Sequence, residues 1–280
     1  MEAYIIDGLR SAVTKSKRGG FRNFRSDDLA VLVIKALMAK YPMIESSLID
    51  DVIVGCANPE GEQGLQIGRN IASRALGKAV AGMTVNRYCA SGLETISIAT
   101  AKIRAGMGEI YIAGGAESMS LIPMTGYKMA PSYQAAMENV NYHVSMGATA
   151  EAVAEKYQVT REEADQFAYR SHQLAGRAIE QGSFASSILP VDVTEVMVEN
   201  NRRIEKTFSV SVDDGVRLDT SVEALAKLPA VFKNGGVVTA GNSSQTSDGA
   251  AFVLVVSEEV VKRYNLQPIA RLASCSVGGV

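Results

Sequence analysis

The stretch MTVNRYCASGLE, residues 83–94, passes from one local pattern to another. Its first three residues predict a short strand. From Leu93 onward, apolar residues recur at helical spacing through Ile96 and Ile103, which predicts an amphipathic helix. Cys89 lies between the two patterns and is followed by three small residues. The stretch therefore predicts a strand, a turn and a helix, with a cysteine near the N-terminus of the helix.

The alternation of strand and helix extends to both sides of this stretch. Predicted helices run from about residue 26 to 37, from 65 to 76 and from 93 to about 106, the first with a cap within Ser26-Asp27-Asp28. Predicted strands cover residues 3–6, 51–54, 83–85, 109–113 and 252–256. This order indicates an α/β fold, in which the strands of a sheet pair in parallel and helices cover both faces of the sheet.

A long middle segment interrupts this pattern. Residues 119–146 are rich in methionine and weak in periodicity, which fits either a gap-filling cover or an adaptable surface for an acyl chain or a partner. Two helices follow, the second opened by a capping box at Thr160 and Glu163, and residues 199–220 look irregular. We expect residues 1–118 and 245–266 to form the sheet domain and 119–244 to form an insertion that serves function. A further strand is expected from Ile269.

The composition excludes several classes of function. Of the 280 residues, 47% are hydrophobic, and the formal net charge of -2 leaves no basic stripe for nucleic acid. No apolar run approaches the roughly 20 residues that span a bilayer, and residues 1–7 do not resemble a signal peptide. Three cysteines form no disulfide framework, and no Cys or His pair has zinc spacing. We expect a cytoplasmic protein without a metal site, a membrane segment or a nucleic-acid partner.

The three cysteines have different sequence contexts. Cys89, at the predicted start of a helix, is placed where unpaired N–H groups and the helix dipole stabilise a thiolate, although a structural role stays open. Cys56 and Cys275 lie at or in predicted strands and are expected in the core. The usual activating base is a histidine, but we expect His172 at a helix surface and His143 in the methionine-rich segment. The sequence thus contains a candidate nucleophile without an obvious base.

Four patterns resemble motifs of the thiolase family, in the family's order. NRYCASG at residues 86–92 is similar to its active-site signature, and AGGAESMS at 113–120 to a glycine-rich turn. MGATAE at 146–151 resembles a helix start, and TAGNSSQTSDGAA at 239–251 resembles a later segment. The resemblance extends over essentially the whole chain. It implies a thiolase-like layered α/β/α sheet domain with a long inserted loop domain that binds coenzyme A.

The resemblance also implies a reaction and a set of site residues. Cys89 would attack the keto carbon of a 3-ketoacyl-CoA, release acetyl-CoA and hold the remaining acyl group until a second CoA removes it. Arg217 matches a residue beside the adenine of CoA, and Ser244 matches one that bonds the pantetheine arm. Leu228 and Phe232 match apolar wall positions, although core packing explains them equally well. Met146 matches a methionine beside the reacting carbons.

Thiolases carry further motifs, which include an activating histidine and a second catalytic cysteine, and none of these occurs in the 280 residues. The resemblance therefore implies that residues 267–280 start a truncated C-terminal thiolase domain. We expect this chain alone to have little or no thiolysis activity.

The resemblance leaves several assignments open. The basic run at residues 15–25 is similar to a loop of bacterial fatty-acid-oxidation thiolases, which favours a degradative 3-ketoacyl-CoA thiolase. The alternatives are a biosynthetic acetoacetyl-CoA thiolase, another member of the superfamily, or an inactive acyl-CoA-binding fragment. Acyl-CoA and CoA are the expected partners, with coenzyme A as a substrate and no separate cofactor. A homodimer or homotetramer and a fatty-acid-oxidation partner subunit are further expectations.

Overall fold

The structure, a computed structural model, describes residues 2–279. The chain divides into two compact units. The first unit comprises the residues up to Tyr127, the segment Ser186–Asp214 and the residues from Thr246 onward. The second unit comprises Lys128–Ala185 and Gly215–Gln245.

The first unit is built on a mixed sheet. The strands in chain order are β1 Ala3–Ser11, β2 Thr14–Lys15, β3 Asp51–Gly55, β4 Ala81–Val85, β5 Ile110–Ser118, β6 Ile188–Leu189, β7 Val191–Glu199, β8 Arg202–Val210 and β9 Ser247–Ser257. The sheet has the order β4-β3-β5-β9-β1-β6, with β2 beside β9, while β7 and β8 form a separate hairpin. Strands β4, β3 and β5 are parallel neighbours, and β9 is antiparallel to both β5 and β1.

Within residues 2–279, eight α-helices accompany these strands, and α4 to α7 belong to the second unit. They are α1 Ser26–Ala39, α2 Ile67–Leu76, α3 Ser91–Arg104, α4 Tyr133–Glu138, α5 Met146–Tyr157, α6 Arg161–Glu180, α7 Val222–Ala226 and α8 Glu258–Tyr264. Short 3-10 turns cover Ser46–Leu48, Gly61–Gln63 and Val140–His143.

Alternate residues of the central strands face two different layers. In β3, Val52 and Val54 are buried in the cluster that contains the apolar side chains of α1 and α2. Ile53, between them, is buried in a second cluster with Ala99 and Ile103 of α3. Because successive side chains of a strand point to opposite faces, α1 and α2 cover one face and α3 the other. The predicted α/β/α layering is confirmed.

The pairing of β9 differs from the prediction of a parallel sheet. Parallel neighbours arise where one crossover helix joins consecutive strands, as between β3, β4 and β5. The chain reaches β9 after more than one hundred residues that include the second unit, rather than through a single crossover. No crossover rule then fixes its direction, and β9 lies antiparallel between β5 and β1.

The start of α1 also differs in detail. The helix begins at Ser26, but its N-cap residue is Arg25, which makes no side-chain cap hydrogen bond. The carboxylates of Asp27 and Asp28 instead accept hydrogen bonds from the Arg74 guanidinium of α2. The acidic first turn therefore joins two helices as well as complementing the helix dipole.

The strand expected from Ile269 does not form within the described residues. Residues 269–279 contain only an isolated bridge between Ala270 and Ile5, in which the Ile5 N–H donates to the Ala270 carbonyl at 2.8 Å. Ile269 is 68% exposed, so its side chain lacks the burial that favours a paired strand.

The turn and the second strand of the β7–β8 hairpin lie within residues 199–220, a segment expected to be mostly irregular. Asn200 and Asn201, both left-handed with φ of 51° and 58°, form its two-residue turn, as type I′ hairpins require. Near the base, Val191, Val193 and Val210 are buried in the core of the first unit. The outer half is exposed and rich in charge, which hides the apolar alternation by which strands are recognised.

The second unit is mainly helical. Its longest helix, α6, begins with the predicted capping box, in which Thr160 and Glu163 each accept from the other's backbone N–H. One face of α6 is buried at Asp165 and at Gly176, where an added Cβ would lie 2.0 Å from Leu218. The predicted helix near residue 149 is α5.

The predicted domain boundaries stay a prediction. The division into units assigns Ser186–Asp214 to the sheet unit, in which β6 pairs with β1, although these residues lie inside the expected insertion of residues 119–244. Within residues 2–279, no helix has both the length and the apolar character needed to cross a membrane.

The position of Leu254 in β9 gives a test of the layering. This side chain is fully buried, so the Leu254→Ala substitution should lower the free energy of unfolding by about 2–5 kcal/mol in urea denaturation. The matched substitution Leu48→Ala, at a side chain that is 42% exposed, should change it by about 0.5 kcal/mol or less. Equal effects of the two substitutions would contradict the burial of Leu254 in the cluster that α1 and α2 cover.

Candidate active site

Cys89 lies in the turn that joins β4 to α3. The strand ends at Val85 and the helix begins at Ser91, so the cysteine comes two residues before the first helical residue. Cys89 is exposed, as a nucleophile must be to reach a substrate. Tyr88, directly before it, has φ of 46°, in the left-handed region that bulky residues avoid. The chain thus makes a sharp turn at the residue that precedes the thiol.

Ser91 secures this turn from the helix side. Its hydroxyl, on a residue only 4% exposed, donates to the Tyr88 carbonyl at 2.6 Å and accepts from the Arg87 N–H at 2.8 Å. The Ser91 N–H also donates to the Tyr88 carbonyl, at 3.0 Å. The guanidinium of Arg87 pairs with Glu94 one turn into the helix, at 2.9 Å. Ser91, the serine of the motif NRYCASG, therefore has a structural role in the turn.

The N-terminus of α3 is fixed against the sheet. The Thr95 hydroxyl donates to the Gly92 carbonyl at 2.7 Å and contacts the Gly114 carbonyl of β5 at 3.2 Å. A Cβ at Gly55, the last residue of β3, would lie 2.8 Å from backbone and side-chain atoms of Ser91, so only glycine allows this approach. The first turn of a helix has N–H groups without intrahelical partners, which can stabilise a thiolate or an oxyanion.

Cys56 has the opposite environment. It is 1% exposed, and burial followed by the neighbouring Glu117 carboxylate raises the pKa of its thiol to about 12. Its sulfur lies 3.7 Å from Glu117 Oε1 and accepts from Gln63 Nε2 at 3.4 Å. Cys56 is therefore protonated at neutral pH and unreactive. The expectation of a core position for Cys275 is wrong, because this residue is exposed in the segment that forms no strand.

Acidic residues of two motifs, AGGAESMS at 113–120 and TAGNSSQTSDGAA at 239–251, hold segments of the first unit together. The buried Asp248 carboxylate accepts from the Ser118 hydroxyl at 3.1 Å and from the Ser120 N–H at 2.8 Å. Glu117 accepts from the Ala57 N–H at 2.6 Å. These contacts, which sequence reasoning did not assign, could have been suspected because acidic side chains within apolar strands require partners.

The coenzyme A contacts expected from the resemblance all lie in the second unit. Met146 and Phe232 are 73% and 48% exposed, and a Cβ at Gly147, next to Met146, would lie 2.3 Å from the Phe232 ring. Leu228 is half-buried against Gly241, whereas Arg217 and Ser244 are exposed. The structure thus packs Phe232 beside the residue that follows Met146.

Buried acids fix the loop that precedes Ser244. The Glu151 carboxylate of α5 accepts from the N–H groups of Val237 and Val238 at 3.0 and 2.9 Å. Asp165 of α6, 1% exposed, accepts from the Asn242 side-chain amide at 3.0 Å and from Arg161 at 2.8 Å. The sequence did not predict these hydrogen bonds, although Glu151 lies in the motif MGATAE and Asn242 in the motif TAGNSSQTSDGAA.

The two histidines both belong to the second unit. His143 is exposed in a 3-10 turn. The surface position expected for His172 is only partly correct: its ring is half-buried and accepts from the Arg217 N–H at 3.2 Å. The described residues of the first unit, which holds Cys89, include no histidine. Among residues 2–279, no group of three or more His, Cys, Asp or Glu could hold a metal ion.

The fold and the turn define a class of protein, a layered α/β protein that presents an exposed cysteine where a strand gives way to a helix. A family model described as "Thiolase, N-terminal domain" matches residues 3–259. A 3-ketoacyl-CoA thiolase of Bacillus subtilis (strain 168) is 46% identical over 281 residues, which cover 100% of this chain and 72% of the relative. A 3-oxoadipyl-CoA/3-oxo-5,6-dehydrosuberyl-CoA thiolase of Escherichia coli (strain K12) is 35% identical, with coverages of 100% and 72%.

A solved structure agrees with these relatives. The crystal structure of the Bacillus anthracis acetyl-CoA acetyltransferase is similar with a TM-score of 0.81 and 34% sequence identity, over 96% of this chain and 69% of that one. The chain belongs to the thiolase family.

The burial of the cysteines predicts their order of reactivity. With iodoacetamide at about pH 8, near the ordinary pKa of a thiol, Cys89 and Cys275 of the folded protein should be alkylated and Cys56 should not. Peptide mass spectrometry resolves the three sites, and in urea all three should react. Alkylation of Cys56 in the folded protein at the rate of Cys89 would contradict the environments described.

Proposed function

We propose that this protein transfers acyl groups between thiols as a thiolase, cleaving a 3-ketoacyl-CoA with CoA to acetyl-CoA and a shortened acyl-CoA. Membership of the thiolase family and the relative named 3-ketoacyl-CoA thiolase at 46% identity support this activity. The observation that carries the proposal is the exposed thiol of Cys89 at the N-terminus of α3. Cys89 is the nucleophile in this proposal.

In the proposed reaction the Cys89 sulfur attacks the keto carbon of the substrate. The bond between the keto carbon and the carbon next to the thioester carbonyl breaks. Its electron pair stays on that second carbon, which takes up a proton, and the fragment leaves as acetyl-CoA. The acyl group remains on Cys89 as a thioester until the sulfur of a second CoA attacks it and regenerates the thiolate. The N–H groups at the start of α3 stabilise the negative charge that develops beside Cys89.

The coenzyme A contacts are part of the same proposal. Arg217 lies beside the adenine end, Ser244 bonds the pantetheine arm, and Leu228 and Phe232 form an apolar wall. Met146 lies beside the reacting carbons. The exposure of Arg217, Ser244 and Met146 supports this assignment, because it leaves these side chains accessible to a ligand. Coenzyme A acts as a substrate, and no further cofactor is invoked.

The degradative direction, as in fatty-acid β-oxidation, is favoured over acetoacetyl-CoA synthesis. It is supported by the higher identity to the 3-ketoacyl-CoA thiolase, 46%, than to the solved acetyl-CoA acetyltransferase, 34%. The proposal includes a homodimer or homotetramer and a fatty-acid-oxidation partner subunit. The exposed apolar side chains of Met129, Tyr133 and Met137 support such association. A cytoplasmic location agrees with three free thiols.

The acyl-carrying role of Cys89 predicts a trapped intermediate. After incubation with a short-chain acyl-CoA and acid quenching, mass spectrometry should find the acyl group on the peptide that contains Cys89. The Cys89→Ser protein should lack this adduct, since a hydroxyl is far less nucleophilic than a thiolate at neutral pH. The Cys275→Ser protein, a matched change at another exposed cysteine, should retain it. An adduct on Cys275 or Cys56 that persists in Cys89→Ser would overturn the assignment.

A further inference from the structure

The backbone of Tyr88 is held in a conformation that its own side chain does not favour. A bulky residue in the left-handed region costs on the order of 1–3 kcal/mol and persists only where surrounding contacts impose it. The Tyr88 side chain is 74% exposed, so packing of the ring does not impose the conformation. The cause therefore lies in the hydrogen bonds of the backbone on either side of Tyr88.

One of these bonds comes from Ser91, which holds the Tyr88 carbonyl. The other comes from Asn86, whose side-chain Oδ1 accepts from the Tyr88 N–H at 2.9 Å. The amide nitrogen of the same side chain donates to the Ala57 carbonyl at 2.9 Å. Asn86 therefore connects the turn before Cys89 to the loop that follows β3.

That loop is itself anchored from the interior. Glu117 of β5 accepts from the Ala57 N–H at 2.6 Å and from Gln63 Nε2, also at 2.6 Å. The Gln63 side chain, fully buried, further donates to the Asn58 carbonyl at 2.8 Å and accepts from the Ser118 N–H at 2.6 Å. Both sides of the Ala57 residue are thus engaged, its N–H by Glu117 and its carbonyl by Asn86.

We propose that Asn86 and Glu117 are positioning residues for the Cys89 nucleophile, an inference that rests on the proposed function. Glu117 fixes the Ala57 backbone, Ala57 orients the Asn86 amide, and Asn86 holds the Tyr88 N–H so that the next residue presents its sulfur at the start of α3. The hydrogen bonds described for these two side chains go to other residues than Cys89, and neither side chain takes part in bond making. They affect the fraction of time that the Cys89 thiolate spends at the position where the helix N–H groups stabilise it.

The experiment measures the rate of Cys89 alkylation by iodoacetamide between about pH 6 and 10, a range that spans the ordinary thiol pKa. In Asn86→Ala the rate at neutral pH should fall about three- to tenfold, the factor that corresponds to about one net hydrogen bond. The midpoint of the pH profile should move upward, because the thiolate loses stabilisation. A purely structural role would not move this midpoint.

Three controls belong to the same measurement. Cys275 reacts in every variant and reports the intrinsic rate of an exposed thiol, and Cys56 stays unlabelled while the core is intact. Asn70→Ala is the matched variant, because its side-chain amide also donates to a backbone carbonyl, that of Leu65 at 3.3 Å, outside the turn. It should leave the Cys89 profile unchanged. An unchanged profile in Asn86→Ala, with Cys56 protected, would overturn the proposal for Asn86.

Glu117→Gln tests the second link and replaces Asn86→Ala if that variant exposes Cys56. The amide of glutamine has the same shape as the carboxylate of Glu117, which accepts one hydrogen bond from the Ala57 N–H and one from Gln63 Nε2. The NH2 group of the amide cannot accept, so one of these two bonds is lost. The Cys89 rate should fall about two- to fivefold, while the Cys275 rate stays constant. A constant Cys89 rate with Cys56 protected would contradict the role of Glu117. If Cys89 of the unmodified protein reacts no faster than Cys275 at any pH, the proposed function fails instead.

Discussion

The left-handed turn at Tyr88 is the constraint on which the arrangement of the first unit depends. Strand β4 lies at one edge of the sheet, and α3 covers the face opposite α1 and α2. The chain must reverse between them within five residues, and a positive φ directly before Cys89 accomplishes this. The same reversal places an exposed thiol at a helix N-terminus. Packing of the sheet and presentation of the candidate nucleophile thus have one structural cause.

Buried polar side chains around this turn and in the second unit perform a common task. Glu117 holds the loop after β3, Asp248 holds the segment after β5, and Glu151 and Asp165 hold the loop before Ser244. Each acid accepts backbone or side-chain N–H or O–H groups, which compensates for its removal from water. The motifs that identify the family therefore contain one candidate nucleophile and a larger number of residues that fix loop geometry.

The sequence was informative where one physical signal dominated. Apolar runs and helical periodicity located α1, α2, α3 and the central strands, because burial of one face imposes those patterns. It failed for β8, whose outer residues are exposed and charged, and for the direction of β9, which no local signal encodes. For the site, position before a helix singled out Cys89. The hydrogen bonds of Asn86 and Gln63 join segments distant in sequence, and only the fold brings these together.

In the proposed reaction Cys89 carries the acyl group on a turn in which hydrogen bonds hold Tyr88 in the left-handed conformation. A crystal structure of the protein after reaction with a short-chain acyl-CoA tests this most directly. We predict electron density for an acyl thioester on Cys89 Sγ, a positive φ at Tyr88, and Asn86 Oδ1 within hydrogen-bonding distance of the Tyr88 N–H. An acyl group on Cys56 or Cys275, or a Tyr88 with negative φ beside an acylated Cys89, would contradict the account.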